Sequence, residues 1–101
     1  MTARRMYWEA RVGWALKRYR RFLRRPGRWL YLPRADLYSP HDPADARDEL
    51  ELLLSELPPR TRAELRRILV PLDEEFRRRT FRDPVLERPA AWWRQRLRDG
   101  Y

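Results

Sequence analysis

The sequence predicts an all-α protein, a small irregular bundle of about four helical segments with a proline-rich extended arm. Three observations carry that reading. Apolar residues recur at helical spacing in separate stretches. Prolines and one Pro-Gly pair divide those stretches. Only one short run, Arg28-Trp29-Leu30-Tyr31-Leu32, has the composition of a strand, and no second run offers it a clear partner. With 101 residues the chain forms one domain, 1–101.

Residues 4–25 read as a basic amphipathic helix. Trp8, Val12, Leu16, Tyr19 and Leu23 fall on one face of a 3.6-residue repeat, and Ala15 and Phe22 widen it. Pro26-Gly27 stops the helix, and Arg24 and Arg25 suit the negative end of its dipole. Residues 26–42 hold Pro33 and Pro40 ahead of Pro43, so an arm that lays Trp29 to Leu32 across the helices is expected. A strand pairing with its copy in a homodimer is the alternative. Residues 43–57 read as an acidic helix capped by Asp42, with Pro43 first, Asp45 in the first turn and Leu50, Leu53, Leu54 and Leu57 inward. Pro58-Pro59 ends it. Residues 61–80 read as a helix opened by a Thr61-Arg62-Ala63-Glu64 capping box, with Leu65, Ile68 and Leu69 inward. Pro71 removes a backbone donor and is expected to kink or break it. Beyond Pro71, acids precede bases as Asp73–Arg77, Glu74–Arg78 and Glu75–Arg79, which makes Arg77 to Arg79 read as a solvated helix end. Residues 84–98 read as a turn after Asp83 followed by a short C-terminal helix, with Trp93 and Leu97 on one face.

Charge is distributed in three blocks. Residues 1–34 hold eleven basic side chains against Glu9, residues 35–57 hold seven acids against Arg47, and residues 58–101 hold twelve Arg against seven acids. The total is +9 with an isoelectric point near 11.1, a field that favours an anionic partner. The acidic second helix offers a docking face to the basic first one, which would lower the charge left for such a partner. Of the 24 basic residues all but Lys17 are Arg. Codon bias in a GC-rich genome and bidentate grip on phosphate both account for that skew.

Reactive constellations are sparse. His41 is the sole histidine, there is no Cys, and Gly13, Gly27 and Gly100 are isolated. A catalytic triad, a thiolate site, a sulfur-bound zinc and a glycine-rich phosphate loop each need residues that this chain lacks. The carboxylates lie beside Arg on helix surfaces. The reading is therefore non-enzymatic, with no cofactor and no metal site. No apolar run approaches the roughly 20 residues that span a bilayer, and Glu9, Arg11, Lys17 and Arg18 interrupt any signal-peptide core. A cytoplasmic location is expected.

Residues 53–62, Leu-Leu-Ser-Glu-Leu-Pro-Pro-Arg-Thr-Arg, resemble the opening of region 4 in sigma factors, where a helix ends at Leu-Pro-Pro-Arg before a helix-turn-helix. The resemblance stops there. Arg66 to Phe76 has no glycine turn, and Pro71 falls where a recognition helix would run.

Two basic-aromatic clusters remain as sites. Arg4, Arg11, Trp14, Lys17, Arg18, Arg21, Arg25 and Arg28 form a nucleic-acid-binding set along the first helix, since Arg neutralises phosphate and aromatics stack on unpaired bases. Trp29, Tyr31, Trp92, Arg94 and Arg96 form a partner-binding set. Trp8, Trp29 and Trp93 are read as core, while Tyr7, Trp14 and Trp92 suit core and surface equally. The leading function is a non-catalytic module that binds an anionic macromolecule, RNA or DNA first. The alternative is a protein-protein subunit or homodimer that docks by its aromatic faces. Peripheral binding to an anionic membrane ranks third.

Overall fold

Helix α1 (Ala3–Leu23) lays Ala15, Leu16, Tyr19, Phe22 and Leu23 into the core, with Trp8 and Val12 half-buried at its start. The computed structural model describes residues 3–33, 42–83 and 91–98, with side chains from Trp8 onward. The Tyr7 side chain and the expected positions at 34–41, with His41, and 84–90 therefore lie outside what is described. The helix closes at Leu23, two residues before the expected end, and the turn that follows places Gly27 at φ 101°, a left-handed conformation that favours glycine.

Helix α2 (Pro43–Glu56) begins as its sequence predicts. The Asp42 carboxylate accepts the Ala44 amide at 2.9 Å, and Pro43 occupies the first turn. Its buried stripe of Leu50, Leu53 and Leu54, extended by Leu57 just past its end, packs mainly on α1. Fully burying each of these leucines stabilises the fold by roughly 1.5–3 kcal/mol.

Helix α3 (Pro59–Arg79) departs from expectation at both its start and its middle. The Arg62 amide donates to the Pro58 carbonyl at 2.9 Å, so the helix starts upstream of Thr61, and the Glu64 amide that a Thr61 cap would satisfy already lies inside it. Pro59 takes the early position that proline favours. The Arg62 guanidinium instead caps the preceding helix, donating to the Leu54 and Leu57 carbonyls at 2.8 and 2.9 Å. Pro71 does not break α3, which continues through it to Arg79. The ring sits on the exposed face, where the carbonyl it deprives of a partner faces water rather than core. Leu65, Leu69 and Phe76 are buried, but Ile68 is 39% exposed rather than inward.

The final element differs most. Among the described residues, a single 3-10 turn, Trp92–Arg94, stands in place of a C-terminal helix. Residues beyond it are extended: Leu97 donates to the Phe81 carbonyl at 2.7 Å, Asp83 donates to Gln95 at 2.8 Å, and Leu32 donates to Leu97 at 3.3 Å. Bridges pair Arg82 with Arg96 antiparallel and Leu32 with Arg98 parallel. The run 28–32 thus finds its partner inside the chain, in a segment whose composition gives no strand signal. Leu30 and Leu32 are buried in this arrangement.

A polar network joins all four elements. Asp73 of α3 accepts from the Tyr19 hydroxyl at 2.7 Å and from Arg47 Nε and Nη2 at 2.9 and 3.0 Å. Arg47 also donates to Glu51 at 2.9 Å and lies 4.4 Å from the Trp93 ring centre. Trp93 Nε1 donates to Asp48 at 2.7 Å. Burial first, and then Asp73, pushes the Tyr19 hydroxyl well above the ordinary phenol range. Burial opposes the charge on Arg47, but its bonds to Asp73 and Glu51 raise its pKa on balance. The expected Asp73–Arg77 pair is replaced by this network.

Candidate nucleic-acid interface

Six acids of residues 42–57 are each in an ion pair, and all but Glu51, which pairs with Arg47 on the same helix, have partners far along the chain. Arg11 bonds Glu49 and approaches Glu56 at 3.6 Å. Arg47 takes Glu51, Arg98 takes Asp42 at 3.1 Å, and Arg94 takes Asp45 and Asp48. The Asp48 bond, with Asp45 beside it, raises the Arg94 pKa. Among the ion pairs of the described residues, the acidic block meets α1 at Arg11.

The second half of α1 and the turn after it are different. Lys17, Arg20, Arg21, Arg24, Arg25 and Arg28 are all exposed, and none forms an ion pair among the described residues. Trp14 stands at the head of this face, 65% exposed. Arg18, Arg21, Phe22 and Arg25 line a shallow pocket of about 250 Å³, and the Arg25 guanidinium lies 5.2 Å from the Phe22 ring centre. Acid-free sequence from Ala10 to Arg34 explains why no local carboxylate reaches this stretch.

The face is held in place by Arg79, which is buried instead of solvated. Its guanidinium donates to the carbonyls of Leu23, Arg25 and Gly27, closing the end of α1 and the turn after it. The Arg79 carbonyl in turn accepts the Leu30 amide at 2.6 Å. Arg78 pairs with Glu75, three residues back, and that bond, ahead of any other influence, lowers the Glu75 pKa.

Next to the turn, Trp29, Tyr31 and Phe81 form an exposed aromatic group. Trp29 and Phe81 stack with ring centres 4.2 Å apart, and Tyr31 and Phe81 at 6.0 Å. The three are 42%, 38% and 37% exposed, so Trp29 is a surface residue rather than core. The Arg28 guanidinium lies 5.1 Å from the Trp29 ring centre.

The expected sets are thus redistributed. Lys17, Arg18, Arg21, Arg25, Arg28 and Trp14 lie on or beside the exposed half of α1, whereas Arg11 is committed to the acidic block; the Arg4 side chain lies outside the described residues. In the partner set, Trp29 and Tyr31 share one surface. Arg94 is tied to α2. Trp92 packs edge-on against Phe76 and Trp93 under the Arg77 guanidinium, 3.9 Å away. Arg96 is internal, donating to Thr80 Oγ1 at 2.8 Å and to the Thr80 and Arg77 carbonyls at 2.6 and 3.0 Å. Phe81 was missed because an isolated aromatic after a helix end carries no periodic signal.

Among the described residues no group of carboxylate or imidazole side chains is arranged to hold a metal ion, and no helix is long and apolar enough to cross a membrane. An apolar groove of about 790 Å³ opens between the first half of α1 and the α2–α3 turn, lined by Trp8, Val12, Leu57 and Ile68 among others. Comparison with protein-family models, with curated proteins and with solved structures finds no match.

Proposed function

We propose that this chain is a non-catalytic, cytoplasmic module that binds nucleic acid through the second half of α1. One observation carries the reading. The acids that might have neutralised this helix are spent on Arg11, Arg47, Arg94 and Arg98, while Lys17, Arg20, Arg21, Arg24, Arg25 and Arg28 stay exposed. Lys17, Arg20 and Arg21 on the helix, continued by Arg24, Arg25 and Arg28 in the turn that follows, present a row of donors to a phosphate backbone. Guanidinium groups suit this because each grips two phosphate oxygens at once. Charge at this density costs stability through self-repulsion and is relieved when an anionic polymer binds.

The test is binding of mixed-sequence oligonucleotides over a range of salt. Each neutralised phosphate contributes roughly −0.9 to the log–log slope on duplex and roughly −0.7 on a single strand. Changing Arg21, Arg24 and Arg25 together to Gln removes three charges while keeping long polar side chains, and should flatten the slope by about 2–3. Affinity that ignores salt, or survives the triple change in a normally melting protein, refutes the reading in favour of a protein partner.

A further inference from the structure

Resting on that reading, we infer that Trp29, Tyr31 and Phe81 form a stacking platform for unpaired bases, which makes the preferred ligand a single-stranded stretch of nucleic acid. Their three rings lie within 30° of parallel where they meet, with interplanar angles of 26° and 29°, and each keeps over a third of its surface in water. A purely structural cluster would bury these faces; a single strand uses such faces, because every base has one to offer. The Arg28 guanidinium over Trp29 is a planar cation standing where a base would stack. A base that displaces it leaves Arg28 free to reach the adjoining phosphate.

The surroundings carry the charge such a strand requires. On one side the platform continues from Arg24, Arg25 and Arg28 of the basic face, and Arg79 fixes that junction by holding the carbonyls on both sides of Pro26. On the other side Arg82 is exposed directly after Phe81, and Arg96 is bonded to the Thr80 before it. Arg96 touches only neutral oxygens. Burial, and then the nearby charges of Arg77 and Arg82, lower its pKa, and among the described residues none of these three guanidinium groups forms an ion pair. Rings flanked on both sides by unneutralised guanidinium groups match the alternation of base and phosphate along a strand. A protein partner would need an acidic surface to match.

The probes are oligothymidylate, the abasic strand of the same length, oligouridylate and a duplex of that length. Stacking is worth roughly 5- to 150-fold in affinity per base, so oligothymidylate should bind at least about tenfold more tightly than the abasic strand. Trp29→Leu and Tyr31→Leu keep an apolar contact with Phe81 but remove the ring face. Each should lower the preference for bases while leaving abasic and duplex affinity unchanged. Tyr31→Leu decides the matter if Trp29→Leu lowers the melting temperature, since Tyr31 is the less closely packed ring. Tighter binding of oligouridylate assigns the strand as RNA, and of oligothymidylate as DNA. Equal, salt-sensitive binding of base-bearing and abasic strands overturns the platform and leaves the phosphate reading standing. Failure to bind any of the four overturns both.

Discussion

Asp73→Asn is the sharpest test of how this fold is held together. Asp73 accepts three hydrogen bonds, one from Tyr19 and two from Arg47. Side chains of Arg47 and Asp73 are 7% and 13% exposed, so solvent screens the pair little. An amide of the same shape offers one acceptor oxygen, and its NH2 group then faces a donor. Arg47 keeps only Glu51, a partner 53% exposed on its own helix. Leaving a buried charge uncompensated typically costs about 3–5 kcal/mol, against a total of roughly 5–15 kcal/mol for a domain. A domain of this size loses about 4–8 °C per kcal/mol, so the melting temperature should fall by at least roughly 12 °C. Thermal melts followed by circular dichroism measure this, with Glu74→Gln, an exposed neighbour, as control. Replacing Arg47 and Asp73 together with Met and Leu should recover much of the loss, because apolar substitution of a whole buried pair is close to neutral. A loss below about 1 kcal/mol for Asp73→Asn would mean that water reaches the network.

Two further perturbations probe other joints. Arg79→Lys replaces a planar fork with a point charge that cannot serve the Leu23, Arg25 and Gly27 carbonyls together; it should cost about 1–3 kcal/mol and speed amide exchange at Leu30, and a variant as stable as the parent would discard the clamp. Leu53→Ala should cost about 2–5 kcal/mol and Ile68→Ala well under 1 kcal/mol, because the first is fully buried and the second is not. Equal losses in chemical unfolding would mean that the faces of α2 and α3 are wrongly assigned.

What the sequence made legible is what depends on near neighbours. The α1 stripe, the Asp42 cap and the leucine face of α2 all follow from spacing within a single helix. The capping box at Thr61 failed because a better signal, proline at the first helical position, sits two residues upstream. The break at Pro71 failed because its cost depends on which side of the helix the ring faces, a property fixed by α1 and α2. Of the pairs expected along the helix, Glu75–Arg79 forms at 3.5 Å, whereas Asp73 reaches Arg47, 26 residues away. The C-terminal helix failed for a related reason: residues 95–98 are held extended by Phe81, Asp83 and Leu32, whose positions are set by the rest of the chain. In the candidate site, the basic face could be read but its separation from the acidic block could not, since that depends on which end of α1 meets α2.

The arginine excess takes on a third origin beside codon bias and phosphate binding. Arg62 caps two carbonyls, Arg79 three, Arg96 bonds three neutral oxygens, and Arg47 grips a carboxylate with two nitrogens while stacking on an indole. These tasks need a planar group with several fixed donors, which lysine lacks. They also explain how a chain with little glycine and many prolines closes its helix ends, because long guanidinium side chains reach carbonyls that local capping leaves open. The formal charge of +9 is therefore a poor measure of what a ligand meets. Guanidinium groups at Arg47, Arg79 and Arg98 are withdrawn into the fold, and exposed cations remain at Arg60, Arg66 and Arg67 on α3 as well as from Lys17 to Arg28 and beside Phe81. A ligand drawn to that region encounters the stacked rings at the end of the basic helix, so attraction by phosphate and selection for unpaired bases act on one continuous surface.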